Sequence, residues 1–231
     1  PLKIANWNLQ IFGPTKASNA TLMAFYASVI DDYDIVFVQE IRDSSNTAFP
    51  ALCALLPNYS CQNSTRAGRT SSKEQYGAIY RNNISVVEWT DFNPDSQDRW
   101  ERPPVKATFN ASGYLISLYN IHVKPDDAKG EITRLQEVVA DSGNSILLGD
   151  LNADCSYYDV SNRTEFLNWT WVVKDSDDTT SASTDCAYDR IILNTGANAE
   201  YSNYGIYSQG IQDGVSDHYL AWAELNASAG S

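Results

Sequence analysis

The order of elements in these 231 residues predicts a layered α/β (α+β) domain, with packed β-sheets inside and helices outside. Three observations carry that expectation. Apolar runs of five to nine residues, rich in β-branched and aromatic side chains, recur from one end of the chain to the other. Between them lie stretches whose apolar residues share one helical face. No linker, fixed-period repeat or low-complexity tract interrupts the chain, so residues 1–231 read as one domain.

Taken in order, Lys3 to Asn8 is the first strand. Ser18 to Asp31 is a helix with Leu22, Phe25, Tyr26, Val29 and Ile30 on one face and Ser18 or Asn19 as its cap. Asp34 to Glu40 is a second strand, and Thr47 to Leu56 a shorter helix. Tyr76 to Tyr80 and Tyr114 to His122 follow as strands. Lys129 to Asp141 is helical, burying Ile132, Leu135, Val138 and Val139. Ser145 to Asp150, Tyr188 to Leu193 and Tyr219 to Leu225 complete the strands.

Composition narrows the classes. With 43% hydrophobic and 12% aromatic residues, a disordered chain is excluded. Apolar runs such as Ser145 to Gly149 fall far short of the ~20 residues of a membrane span, so no membrane partner is expected. The strand-like opening Pro1-Leu2-Lys3-Ile4 does not read as a signal peptide, which a secreted precursor could have lost ahead of it. The net charge of −13 opposes binding of a polyanion through bulk charge, which leaves a local basic patch or a metal ion to do it. Seven of the sixteen basic residues do cluster, at Arg66, Arg69, Lys73, Arg81, Arg99, Arg102 and Lys106.

The four cysteines, Cys53, Cys61, Cys155 and Cys186, lack the C-x-x-C spacing of a zinc site. Three pairings are possible, of which Cys53–Cys61 with Cys155–Cys186 is the simplest. Eight of nineteen asparagines (Asn19, Asn58, Asn63, Asn83, Asn110, Asn162, Asn168 and Asn226) open an N-x-S/T sequon. Chance would give about three. Together with an even cysteine count, this predicts a secreted, extracellular glycoprotein.

What stands at the strand ends points to chemistry. The apolar runs lead into Glu40, His122 and Asp150-Leu151-Asn152, while Asp189 and Asp217-His218 precede the last two. Glu, Asp and Asn are oxygen ligands for a hard cation, and His beside an acid is an acid/base pair. The chain has only two histidines, His122 and His218, and both stand at strand edges. That excludes a multi-histidine zinc centre and favours phosphoryl chemistry with Mg²⁺ (or Mn²⁺).

Six motifs in order, Asn6-Trp7-Asn8, Val38-Gln39-Glu40, Asn120-Ile121-His122, Gly149-Asp150-Leu151-Asn152, Tyr188-Asp189-Arg190 and Ser216-Asp217-His218, resemble the endonuclease/exonuclease/phosphatase superfamily. Stretches such as Gln39-Glu40-Ile41-Arg42-Asp43-Ser44 and Asp185-Cys186-Ala187-Tyr188-Asp189-Arg190-Ile191 resemble its deoxyribonuclease I branch. The resemblance implies a four-layered sandwich of two packed, mostly antiparallel sheets flanked by helices, and a Cys155–Cys186 disulfide. It implies a secreted, monomeric endonuclease that hydrolyses DNA phosphodiesters by His- and acid-assisted attack of water.

By motif, Glu40 with Asn8 would ligate the catalytic metal and Asp217 assist there. Asp150 and Asn152 would lie near the scissile phosphate, with His218 paired to Asp189 and His122 to Glu74. The segment from Asp175 to Thr184 resembles a structural calcium loop, with Asp178, Thr180 and Thr184 as ligands. Arg42, Arg69, Lys73 and Arg102 are the expected DNA-binding residues. Gln10 and Ser72 stand where the mammalian pattern has Arg and Tyr, which predicts weaker groove contact. Ser45, Cys61 and Asn63 replace actin-contacting residues, so no actin binding is expected. The alternatives are a phosphodiesterase or phosphatase acting on phospholipid or inositol phosphate, and a non-catalytic binding protein on the same fold.

Overall fold

The computed structural model describes residues 1–227; Ser228, which completes the Asn226 sequon, lies outside them. Its twelve strands form two six-stranded sheets. The first contains β1 (Leu2–Phe12), β2 (Ile35–Ile41), β3 (Tyr59–Asn63), β4 (Gln75–Arg81), β11 (Tyr201–Tyr207) and β12 (Leu220–Leu225). Their spatial order is β11-β12-β1-β2-β4-β3. The second contains β5 (Ile84–Asp91), β6 (Val105–Ala111), β7 (Tyr114–His122), β8 (Ser145–Asp150), β9 (Thr170–Trp171) and β10 (Asp189–Leu193), in the order β5-β6-β7-β8-β10-β9.

Each sheet has one parallel pair, β1–β2 and β7–β8, and is otherwise antiparallel. A parallel neighbour needs a crossover, and helices supply it. Between β1 and β2 run α1 (Pro14–Ala17) and α2 (Ala20–Ile30), and between β7 and β8 runs α4 (Ala128–Leu135). The remaining helices are α3 (Ala48–Ala54) and α5 (Thr195–Glu200). The expected four-layered sandwich is therefore what forms.

Period-2 alternation explains the layering. On β1, Ile4 faces the core between the sheets, whereas Ala5, Trp7 and Leu9 pack against α2 with Tyr26 and Ile30. On β2, Ile35 and Phe37 face inward and Val36 and Val38 outward. Phe37 meets Phe109 of the opposite sheet edge-to-face, centroids 6.3 Å apart. Asn19 caps α2 by accepting the Leu22 N–H at 3.1 Å, resolving the two capping candidates in its favour.

The inter-sheet face of each strand turns from apolar to polar at the same level. Ile4 gives way to Asn6 and Asn8, Phe37 to Gln39, and Leu118 to Asn120 and His122; all four amides are fully buried. One end of the sandwich is thereby a polar floor, and the site stands on it.

Several elements differ from expectation. β3, β5, β6, β9, β11, α1 and α5 were not expected; most are polar, irregular or very short, whereas β6 does alternate, with Val105, Ala107 and Phe109 buried. The helix expected to Asp141 stops at Leu135, its last carbonyls capped by turns through Val138 and Val139. Both disulfides form in the simplest pairing, Cys53–Cys61 and Cys155–Cys186, and no cysteine is free.

Candidate active site

Two bulges aim the first acidic side chain. β1–β2 pairing jumps from Asn8↔Gln39 to Phe12↔Ile41, and Gln10, Ile11 and Glu40 take φ of 48°, 51° and 59°. The distortion turns Glu40 toward the site, where it accepts the Ile11 N–H at 2.8 Å and pairs with Arg42 at 3.3 Å. Asn8 stands between carboxylates, its amide NH₂ donating to Glu40 Oε1 at 3.2 Å and Asp150 Oδ2 at 3.0 Å. The backbone N–H of Gln10 holds Asn8 Oδ1 at 2.9 Å, which fixes the amide between the two carboxylates.

β8 delivers Asp150 through Gly149. A Cβ there would lie 2.0 Å from the Ile121 carbonyl oxygen, and φ is +154°, so only glycine lets β7 and β8 approach so closely. Asp150 is buried; it accepts the Asn152 N–H, and Asn152 in turn donates to the Val123 carbonyl at 2.9 Å.

Both histidines converge on this carboxylate. His122 Nε2 lies 3.3 Å and His218 Nε2 3.4 Å from the same Asp150 Oδ2. Each ring is backed by its expected acid: His122 Nδ1 is 2.7 Å from Glu74 and His218 Nδ1 2.7 Å from Asp189. Such partners fix the tautomer and steady the imidazolium. Burial disfavours the charged rings, but Glu74 and Asp150 outweigh it at His122, and Asp189 and Asp150 at His218, so both titrate above the ordinary imidazole range. Burial likewise pushes Glu74 up, yet His122, Arg102 and Arg42 overcome it and hold it at about 2. At Asp150 burial is again outweighed, by His218 and His122, and the carboxyl is held below its usual value.

Asp217 sits at the rim, about half exposed, with Oδ1 3.9 Å from His218 Nε2; that oxygen is buried and lacks a hydrogen-bond partner. Asp150, Asp189 and His218 each bring a ligand-type atom within 4.8 Å of the other two. The donor set around Glu40, Asp150 and Asp217 is carboxylate oxygen, which suits a hard divalent cation.

The expected basic residues divide. Lys73 is exposed. Arg42 is partly exposed and bridges Glu40 and Glu74, 3.3 and 3.6 Å away. Arg69 pairs with Asp98 and Glu101. Arg102 departs from the expectation of a surface phosphate contact: only 12% of its side chain is exposed, and its guanidinium donates to Glu74 and to the His122 and Val123 carbonyls. Burial there is compensated by five-donor geometry that a lysine could not match.

Away from the rings, Asp178 Oδ1 accepts from the Thr180 N–H, the Thr180 hydroxyl and the Cys186 N–H. The Thr184 carbonyl lies 3.2 Å from the same hydroxyl and shares its one proton, so the three expected calcium-loop residues are adjacent. This loop is tied to the site, because Thr180 bridges His218 and Thr179 accepts the Tyr219 N–H.

Sequence reasoning missed several supports. The Trp7 indole N–H donates to the His218 carbonyl at 2.9 Å, and the Ser216 hydroxyl joins the His218 N–H to the Asn8 carbonyl. The Tyr76 hydroxyl accepts the His122 N–H and donates to the Arg102 carbonyl. Trp7 and Ser216 lie within the motifs and Tyr76 two residues from Glu74, and these positions were the available signal.

The chain matches the endonuclease/exonuclease/phosphatase family over residues 5–218. It is 36% identical to deoxyribonuclease-1 of Bos taurus, covering 83% of this chain and 77% of that one. To deoxyribonuclease-1 of Homo sapiens it is 35% identical, covering 94% and 90%. Similar folds include a mannosyl-6-phosphatase from Bacteroides thetaiotaomicron (TM-score 0.72, 18% identity, 97% and 99% covered). Another is D. rerio TDP2 complexed with single-strand DNA product (TM-score 0.70, 17% identity, 96% and 97% covered).

Proposed function

The chain belongs to the endonuclease/exonuclease/phosphatase family, as a deoxyribonuclease I-like member, and from that premise we propose that it is a secreted, divalent-metal-dependent endonuclease cutting DNA. The observation that carries the reading is the pair of carboxylate-backed imidazoles meeting over one oxygen of Asp150. Phosphodiester hydrolysis needs a proton removed from water and another delivered to the leaving 3′-oxygen. Two rings with separate acid partners supply one group for each transfer, and their raised proton affinity lets the protonated one also offset phosphate charge.

Asp150 and Asn152 hold the strand end against which the phosphate would sit. Mg²⁺ or Mn²⁺ would be held by Glu40 helped by Asn8, with Asp217 assisting, and would neutralise charge on the phosphate oxygens. The unpartnered Asp217 oxygen and the hard donor set support that placement. Asp178, Thr180 and Thr184 are proposed to hold a structural Ca²⁺. Disulfides and sequons support an extracellular setting.

The test is nicking of supercoiled plasmid with Mg²⁺, with and without chelator, beside phospholipid, inositol-phosphate and sugar-phosphate substrates. Nicking abolished by chelator is expected. Turnover of one of the other substrates without DNA cleavage would overturn the assignment.

A further inference from the structure

Beneath the His218–Asp189 pair lies a fully buried cluster of three amides that joins the two sheets. Asn6 comes from β1, Gln39 from β2 and Asn120 from β7. Gln39 donates to Asn6 Oδ1 at 2.5 Å and to Asn120 Oδ1 at 2.9 Å; Asn120 donates to Asn6 Oδ1 at 3.0 Å and to the Leu148 carbonyl at 3.0 Å.

Two donors therefore converge on the one oxygen of Asn6, which settles the orientation of its amide. Its NH₂ is left facing Asp189, donating to Oδ1 at 3.3 Å, while Asp189 Oδ2 takes the His218 Nδ1–H. Asp189 is wholly buried; Asn6 takes one of its oxygens and His218 the other, with the Thr179 hydroxyl also beside the carboxylate. The cluster also leaves Gln39 Oε1 buried without a partner. An unsatisfied amide oxygen is a cost that apolar residues of similar volume would avoid.

We propose that Asn6, Gln39 and Asn120 are positioning residues, a relay that fixes the Asp189 carboxylate and through it the plane of the His218 ring. The proposal rests on the nuclease reading for the use made of that ring. Without the relay, Asp189 Oδ1 loses its Asn6 anchor, the carboxylate can turn about its last torsion within the hold of His218 and Thr179, and His218 Nε2 is aimed less sharply at the Asp150 oxygen. His122 is the internal control, because its partner Glu74 touches none of the three amides.

The experiment compares the full chain with Asn6→Leu and Asn120→Leu, reading the downfield proton resonances of the two imidazole Nδ1–H groups together with steady-state plasmid nicking. Asn6→Leu is expected to shift or broaden the His218 resonance alone, and to lower kcat about tenfold or more with KM within about twofold. Asn120→Leu, which removes one of the two donors that orient Asn6, should give the same pattern more weakly.

Unchanged resonances with unchanged kcat would overturn the relay, as would equal loss of both resonances. Should Asn6→Leu not fold, Asn120→Leu decides by the same readouts; if neither folds, the amides are an inter-sheet staple and the proposal fails. A wild-type chain that cleaves no DNA would sink the nuclease reading, while the resonances would still judge the positioning.

Discussion

At Glu74 one buried carboxylate meets three cationic groups: His122 at 2.7 Å, Arg102 at 3.2 Å and Arg42 at 3.6 Å. Its folded value of about 2 lies below the 4.5 of a free glutamate, so the stabilisation is complete above about pH 4.5 and is lost as pH falls toward 2. The shift corresponds to an order of about 3 kcal/mol at neutral pH. Urea unfolding at pH 7 and pH 3 should show wild type well above Glu74→Gln at the higher pH and the gap closing at the lower one. A constant gap would place the stabilisation elsewhere. Around Asp150, His122→Ala, His218→Ala and Glu40→Ala should each fold and nick plasmid at least ~10²-fold more slowly. Near-normal rates in both His variants would remove the rings from the chemistry.

Elements matter through their ends. β7 and β8 run parallel with His122 opposite Asp150, and the register holds because Gly149 allows the Ile121 carbonyl to come in without a side chain between. Gly149→Ala is therefore expected to lower stability by an order of about 2–3 kcal/mol, read as a drop in Tm, and to depress nicking as well. An alanine variant as stable as wild type would show that the strand pair adjusts freely. Across the site, Cys155–Cys186 closes a 31-residue separation that carries the Asp178 loop and lies next to Asp189. Chain-entropy reasoning gives that closure about 4 kcal/mol. Reduction should lower Tm and activity together; retention of full activity in the reduced protein would separate the loop from the site.

For the whole molecule, a net charge of −13 makes approach to DNA repulsive at long range. Arg102 is committed to Glu74 and Arg69 to acids of its own, leaving Lys73 and part of Arg42 as the freer cations of the expected set. The salt dependence of DNA binding should be shallow, equivalent to about two or three phosphate contacts. The double change Gln10→Arg with Ser72→Tyr should lower KM on duplex DNA and leave kcat nearly unchanged. Steady-state nicking across a salt series checks both; a steep slope, or no response to the double change, would put the DNA on another face.

The layered fold, the hydrophobic strands and both His–acid pairs were legible in the chain, because burial imposes period-2 and helical patterns and because the six motifs keep their order. Ser145–Asp150 as a strand follows from local chemistry alone, which also narrows the α2 cap to Ser18 or Asn19. What the chain could not show is how distant polar residues share atoms. Edge strands such as β5 and β11 face water on much of their surface, and an irregularity in each breaks the alternation of their apolar residues. Arg102 reads as one more member of a basic cluster until the fold turns it inward onto Glu74. Likewise Asn6, Gln39 and Asn120 lie up to 114 residues apart, yet meet at one oxygen. Sequence periodicity determines which face of a strand is buried; only the packing of one sheet on the other decides which buried groups face each other, and hence where every proton and charge of the site resides.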